Sequence, residues 1–362
     1  MNQIVNNGFE SCVLLINPTR YPQYIKILKR LLKKTVIPVV IESKSKSHFI
    51  EMVHEFYNGP YSYLLVWGGD GTAHDAINAM MNAANHSEVK RKKAIGFLRG
   101  GSGNGIQDSY EVPYSIGKQL SIYAESMRNE YTIKVDLLKI HHNNQVYYGQ
   151  LVGLGFDTEV LRLRDAQKVI RDGNIKSGLF NYVHSAMVTF FKNDLKSGKY
   201  YNLNIRDGKY ALRGTRTNAE FPVESLQLSV NSPMIEVGTR PYYGKLFKIC
   251  PDVVCNDGNM DLYLFNFETK LAVARYMVSL WNGWHHKINK RFARKDKPLI
   301  HRFEIKQLEI EAGEQFDFHI DGEFKTNDIP ENDKYSITIE VVPQAISFIV
   351  PRTFYKKFHP FD

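Results

Sequence analysis

Ten residues near position 70 constrain the fold more than any other stretch. Tyr63-Leu64-Leu65-Val66-Trp67 is an unbroken bulky apolar run, which reads as a buried parallel strand. It leads straight into Gly68-Gly69-Asp70-Gly71-Thr72, after which Ala73, Ile77, Met80 and Ala84 recur at helical spacing. The acidic glycine turn therefore sits at the carboxyl end of a strand, where open α/β sheets hold their ligands. Glycine permits close backbone approach and positive φ, and the N–H groups of a first helical turn favour an anion. One carboxylate among such donors points to a phosphate meeting a reacting hydroxyl or a metal. A single turn of this kind also reads as a tight packing corner, but a second follows. Ala94 to Leu98 is another buried-strand run, and Arg99-Gly100-Gly101-Ser102-Gly103-Asn104-Gly105 comes directly after it. The two turns are about thirty residues apart, the length of one strand–helix–strand unit.

The 362 residues predict one or two domains, and 43% hydrophobic content supports a sizeable core. The net charge of +9 implies an anionic partner: nucleotide, nucleic acid or an acidic membrane surface. No nucleic-acid module or aromatic platform for bases is present, so nucleic acid is not expected. No apolar run is long enough to predict a spanning helix, and Met1 to Glu10 has no signal-peptide pattern. Cys250 and Cys255 lack the neighbours that would complete a zinc site. The expectation is a cytoplasmic, peripherally membrane-associated protein whose oligomeric state is open, a homodimer included.

Strand and helix alternate through the first part of the chain. Cys12 to Asn17 reads as a strand. Tyr24, Leu28, Leu31 and Leu32 mark a helix, and Val36 to Ile41 a strand that Pro38 marks as an edge. Further helices are predicted around Phe49–Phe56 and Ile116–Met127. This is the pattern of a doubly wound α/β domain. Beyond about residue 130 the periodicity changes to two, as in Tyr131–Leu137, Leu226–Val230, Asp261–Phe265 and Phe303–Lys306, which predicts antiparallel sheet. Helical insertions are expected around Phe180–Phe191 and from about Leu271 to Phe292. The resulting expectation is an α/β domain over 1–137, rejoined by 342–362, and a mostly antiparallel β-sandwich over 138–341.

Six segments, in order, resemble the diacylglycerol kinase catalytic domain family of lipid kinases. They are Asn17-Pro18, Gly68 to Thr72 with Asp75 and Asn78, Gly101-Ser102-Gly103-Asn104, Gly153-Leu154-Gly155-Phe156-Asp157, Asn256 to Asp261, and Ile320-Asp321-Gly322-Glu323. The third has the form typical of sphingosine and ceramide kinases, whereas diacylglycerol kinases usually carry Gly-Thr-x-Asn-Asp. Thr19-Arg20 departs from the family's small, glycine-rich first loop. The resemblance implies an ATP- and Mg²⁺-dependent lipid kinase with an α/β nucleotide domain like that of NAD kinases and phosphofructokinases, followed by a β-sandwich. Its acceptor would be a primary hydroxyl of a diacylglycerol-type or sphingoid-type lipid at an anionic membrane surface.

Phosphoryl transfer requires the triphosphate to be held, its charge neutralised and the hydroxyl aligned. The candidate phosphate cradle is Gly68, Gly69, Gly71, Gly101 and Gly103. Asn17, Thr72, Ser102 and Asn104 are candidate side-chain contacts. Ser43 lies where the family often has a nucleotide-contacting Thr, and His74 either contacts nucleotide or packs. Asp70 is the first candidate base and Glu323 the second. Asp321-Gly322 also reads as a hairpin turn. By resemblance, Asp257 binds a structural Mg²⁺ with carbonyls of Val254 and Asn259, and it too reads as a turn residue. Asp157 and Glu159 are substrate-side candidates. The segment Leu271–Lys295 has two readings: a stripe packed on its own sheet, or an interfacial helix with a basic end. A NAD kinase-like enzyme and an inactive lipid- or nucleotide-binding protein are the alternatives.

Overall fold

The computed structural model describes residues 8–18, 22–35, 37–87, 92–101, 103–162, 199–211, 221–244, 247–292, 299–330 and 334–361. Ser102, Thr19-Arg20, the insertion expected around Phe180–Phe191 and the basic residues Arg294 and Lys295 lie outside them. Two compact units divide the chain, Met1–Val135 with Gln344–Asp362, and Asp136–Pro343.

In the first unit, β1 (Cys12–Ile16), β2 (Val39–Glu42), β3 (Tyr63–Gly68) and β4 (Ala94–Arg99) are parallel. Helices α1 (Pro22–Leu32), α2 (Lys46–Asn58) and α3 (Asp70–His86) connect them. The last strand, β15 (Tyr335–Ile349), adds Ser347 and Phe348 beside Ala94 and Ile95, giving the order β2-β1-β3-β4-β15. β2 is the edge strand, as Pro38 predicts. β1, β3 and β4 are buried along their length because helices cover the sheet, which explains their unbroken apolar runs. A fifth helix, α5 (Ile116–Arg128), lays Leu120 and Tyr123 into this core. The Tyr123 hydroxyl donates to Phe97 O and accepts from Phe97 N–H. The chain leaves β1 toward β2 and returns to pair β3 on β1's other side. The carboxyl ends of β1 and β3 are therefore the switch point of the sheet.

The second unit is antiparallel, and its first strand begins in the last residues of the first unit's leading segment. Its strands are β5 (Thr132–His142), β6 (Gln145–Gly149), β7 (Leu151–Gly155), β8 (Tyr201–Ala211), β9 (Pro222–Val230), β10 (Met234–Gly238), β11 (Met260–Phe265), β12 (Ile300–Ala312), β13 (Phe316–Ile320) and β14 (Glu323–Asn327). One path runs β14-β13-β7-β10-β11-β12-β15; β8 pairs β12 and carries β9 on its other side, and β5 pairs β15 and β6. Alternate side chains such as Val152, Leu154, Val237, Leu262, Ile305 and Phe318 fill its core. This is the predicted β-sandwich.

The helix expected over 271–292 is two helices, α6 (Lys270–Trp281) and α7 (His285–Phe292). Gly283 breaks it at φ +68, where a Cβ would lie 2.8 Å from Pro251 Cβ. The chain closes with α8 (Arg352–Phe358), whose Phe354 packs edge-on against Tyr110 in the first unit.

Candidate active site

At the switch point, the two glycine turns pack backbone against backbone. A Cβ on Gly101 would sit 2.3 Å from Gly69 Cα, and Gly100 N–H donates to Gly68 O at 2.9 Å. Gly68 is equally restricted, because a Cβ there would meet Thr72 Cβ at 2.4 Å. Gly69 caps α3 with no side-chain hydrogen bond, and Gly71 and Thr72 lie in the first turn. That helix start is suited to an anion. After β1, Asn17 Nδ2 donates to Thr72 Oγ1 at 3.0 Å. Ser43 is buried, and its hydroxyl donates to Ile16 O at 3.3 Å. His74 is also buried, one turn into α3, where Asn78 Nδ2 donates to its carbonyl at 2.9 Å.

Asp70 joins the two turns. Its Oδ1 accepts from Gly105 N–H at 2.6 Å and Ile106 N–H at 3.4 Å, at the start of the short helix α4 (Gly105–Ser109). A Cβ on Gly103 would lie 2.1 Å from Asp70 Oδ2. Gly103 is thus a glycine because a carboxylate from the other turn occupies its face, a reason no reading of the turn alone supplies. Asn104, left-handed at φ 60, ties off the second turn: its Nδ2 donates to Gly101 O and its Oδ1 accepts Gly101 N–H. Sequence reasoning also missed Arg99, which pairs with buried Asp108 at 2.7 Å and donates to Val112 O, bracing this turn from below.

In the second unit, Asp321 (φ 51) and Gly322 (φ 87) form a two-residue hairpin turn between Ile320 and Glu323. The Asp321 carboxylate is nevertheless buried. It accepts from Gln150 N–H and Leu151 N–H, each at 3.1 Å, and from fully buried Arg240 Nη2 at 3.2 Å. Glu323, two residues on, is exposed.

Asp157 lies in a cluster that the sequence did not reveal. Together with Glu236 and His319 it forms the one group of three metal-ligand-type side chains among the described residues. All three surround Gly153, where a Cβ would lie 2.3 Å from both Asp157 Oδ2 and His319 Nε2. His319 Nε2 bonds Asp157 Oδ2, and His319 Nδ1 accepts Gly322 N–H at 3.3 Å. A metal-ligating histidine donates from its second nitrogen, whereas Nδ1 here accepts. With Nδ1 accepting, Nε2 is left to donate to Asp157, and the three side chains form one buried hydrogen-bonded cluster. Burial and the Asp157 charge push the Glu236 carboxyl well above its ordinary pKa. Burial, the largest single influence, would raise Asp157 too, but the contact with His319 and the hydrogen bonds from Glu236 and Thr158 N–H together outweigh it, and the net shift is downward. Glu159 is half-buried and engaged by Arg162 at 2.7 Å.

Asp257 and Val254 are exposed. Asp257 Oδ1 accepts Asn259 N–H at 3.0 Å, and Gly258 N–H goes to buried Asp136 Oδ2 at 2.7 Å. Although the residue as a whole is exposed, partial desolvation of its carboxylate, together with the nearby Glu304 charge, raises the Asp257 pKa. The Asp257 and Asp136 carboxylates thus both hold the backbone of this turn, where the resemblance implies Mg²⁺, an ion that takes oxygen ligands and retains water. Elsewhere in this unit a groove of about 630 Å³ runs between Leu226, Leu228, Val230, Leu264 and Phe303, with the Tyr210 hydroxyl bonded to His301 Nδ1 at 2.8 Å.

Residues 12–140 match the model of the diacylglycerol kinase catalytic domain, and residues 201–350 match that of the YegS C-terminal NAD kinase beta sandwich-like domain. A curated relative from Yersinia enterocolitica, "Probable lipid kinase YegS-like", is 22% identical over 80% of this chain and 78% of its own length. A solved Bacillus anthracis structure, described as a candidate diacylglycerol kinase, superposes with a TM-score of 0.65. It is 18% identical, over 96% of this chain and 99% of that one. A second Bacillus anthracis structure, described as a diacylglycerol kinase, gives 0.60 at 16% identity, over 96% and 98%. At such identities the two structures establish the fold alone. With the two domain models matched in order, the chain belongs to the YegS- and diacylglycerol kinase-like family of bacterial lipid kinases.

Proposed function

We propose that this protein transfers the γ-phosphoryl group of ATP, with Mg²⁺, to a primary hydroxyl of a membrane lipid of the diacylglycerol or sphingoid type. The observation that carries this reading is Asp70, fixed by backbone donors where two glycine turns meet at the switch point. The first-turn N–H groups of α3 hold the terminal phosphates, and Asn17 and Thr72 supply side-chain contacts. Ser43, His74, Gly101 and Asn104 shape the nucleotide pocket, and Ser102 is a further candidate nucleotide contact by sequence. Asp70 is the first candidate to accept the proton. The lipid hydroxyl loses its proton to that carboxylate, its oxygen bonds the γ-phosphorus as the bond to the β–γ bridging oxygen breaks, and ADP leaves. Glu323, exposed beyond the Asp321 turn, is the second candidate for this proton. Asp257, with carbonyls of Val254 and Asn259, would hold a structural Mg²⁺. An ion there would order the turn that holds it, and Mg²⁺ bound with ATP would neutralise phosphate charge. Asp157 and Glu159 lie on the substrate side. The groove at Leu226 and Phe303 is apolar, and burial lowers the His301 pKa. An acyl chain suits such a groove better than NAD, which favours the lipid reading. The site of action is the cytoplasmic face of an anionic membrane.

The test is transfer of labelled γ-phosphate from ATP to a panel of diacylglycerol, sphingoid base, ceramide and NAD. At least one lipid should be labelled and NAD should not. Asp70→Asn retains an acceptor oxygen for Gly105 N–H, so it should fold normally yet lose ~10²–10⁴-fold in rate. Labelling of NAD alone, or no labelling of any lipid, removes the proposal.

A further inference from the structure

The segment from Lys270 to Lys295 carries Lys270, Arg275, Lys287, Lys290, Arg291, Arg294 and Lys295 without one Asp or Glu. So strict an exclusion of acids is not needed to keep a helix soluble. On α6 the buried positions are Tyr276 and Leu280. The opposite arc, at helical spacing, is Leu271, Ala274, Arg275 and Val278, all exposed. Leu271 is 79% exposed and Val278 67%. Met277 and Trp284 add to this apolar surface at 42% and 40%. Isolated exposed leucines are ordinary, whereas a continuous apolar face calls for a partner. The Lys287 ammonium sits 3.8 Å above the Trp284 ring, which pairs an amphipathic aromatic with a cation at one edge of the face.

From this we infer that the outer face of α6, with Trp284, Lys287 and Lys290 of the following turn and α7, docks onto an anionic lipid bilayer. Leu271, Val278 and Met277 enter the headgroup–acyl boundary, Trp284 lies at headgroup level, and the lysines and Arg275 meet lipid phosphates. The acid-free charge pattern selects the bilayer over a protein partner, since protein surfaces carry both signs. Each cation near such a surface adds roughly fivefold to partitioning, and salt screens that gain. The inference deepens the lipid-kinase proposal and rests on it for its purpose, but its binding test does not require catalysis.

The experiment is flotation of the full chain with vesicles of phosphatidylcholine alone, or mixed equally with phosphatidylglycerol. The protein should float with the mixed vesicles, release in high salt, and bind pure phosphatidylcholine weakly. Leu271→Glu with Val278→Glu, and separately Lys287→Glu with Lys290→Glu, should each reduce flotation tenfold or more. Both should keep the wild-type melting temperature and their phosphotransfer to a water-soluble short-chain acceptor. Failure of the wild type to float, or equal flotation of the variants, overturns the inference. So does a change of oligomeric state in the Leu271/Val278 variant, which would make this face a contact between copies. Flotation without any lipid phosphorylation would sink the kinase proposal and leave the docking face standing.

Discussion

Asp321 and Glu323 stand two residues apart, yet one is sealed and the other open. Asp321 neutralises Arg240 in a place no water reaches, and Glu323 sits past the turn in solvent. Removing one partner of a buried ion pair costs ~3–5 kcal/mol. Asp321→Ala should lose that much in urea denaturation. Glu323→Gln should stay within ~0.5 kcal/mol, and if Glu323 is the base its rate should fall ~10²-fold or more. Equal stability losses would show Glu323 to be a turn residue like its neighbour. The Asp-Gly-Glu string announces a turn, but Arg240 lies 81 residues away, so nothing local reveals the burial. His285 makes the same point about titration. It is buried edge-on between Tyr263 and Phe265, and neither ring nitrogen has a partner among the described residues. Burial, with His286 and Lys248 nearby, lowers its pKa to about 3. Below pH ~6.5 the unfolded chain takes up a proton that the folded chain refuses. Stability is therefore lost as pH falls from there toward 3, by up to ~1.4 kcal/mol per pH unit. His285→Leu should flatten that acid limb in denaturation curves at pH 7 and pH 5, and cost little at pH 7. An unchanged slope would mean that His285 titrates freely when folded.

At the scale of elements, the strand–turn–helix units were legible because β1, β3 and β4 are buried on both faces and so spell continuous apolar runs. The two halves of the 271–292 helix were not separated, since one glycine within a helical pattern does not announce a break. Nor did the apolar stripe through Leu271 and Val278 say which side was covered; Tyr276 and Leu280 are the buried ones. The Asp157–Glu236–His319 network draws on a residue just past β7 and on strands β10 and β13, so no window of sequence contains it. The second glycine turn yields a sharper contrast. In Gly103→Ala the new methyl meets a side-chain oxygen, Asp70 Oδ2, at 2.1 Å; in Gly101→Ala it meets Gly69 backbone at 2.3 Å. A side chain can swing aside and a paired backbone cannot. Gly103→Ala should therefore keep most of its stability and lose activity on the order of 10²-fold through a displaced carboxylate. Gly101→Ala should lose ~1–3 kcal/mol of stability as well. Melting curves beside turnover rates distinguish the two, and full activity in Gly103→Ala would remove Asp70 from the chemistry.

For the whole molecule, chain order matters most at β15. Its early residues Tyr335 to Glu340 pair with β12 in the second unit, and Ser347 and Phe348 pair with β4 in the first. The strand bearing the second glycine turn therefore gains its outer neighbour only from the last thirty residues or so of the chain. Phe348 is 1% exposed and meets Phe97 and Tyr110 edge-on at 5.3 and 4.9 Å. Truncating such a ring costs ~3–5 kcal/mol. Because Phe348 packs within the first unit's core, against Phe97 and Tyr110, Phe348→Ala should speed amide exchange in β1, β3 and β4 and weaken nucleotide binding. Amides of β10 and β11 should keep their protection, since their partners β7 and β12 are intact. Equal loss of protection in both sets would mean that the two units unfold as one, and β15 would then be a shared core element and not a late strand of the nucleotide domain.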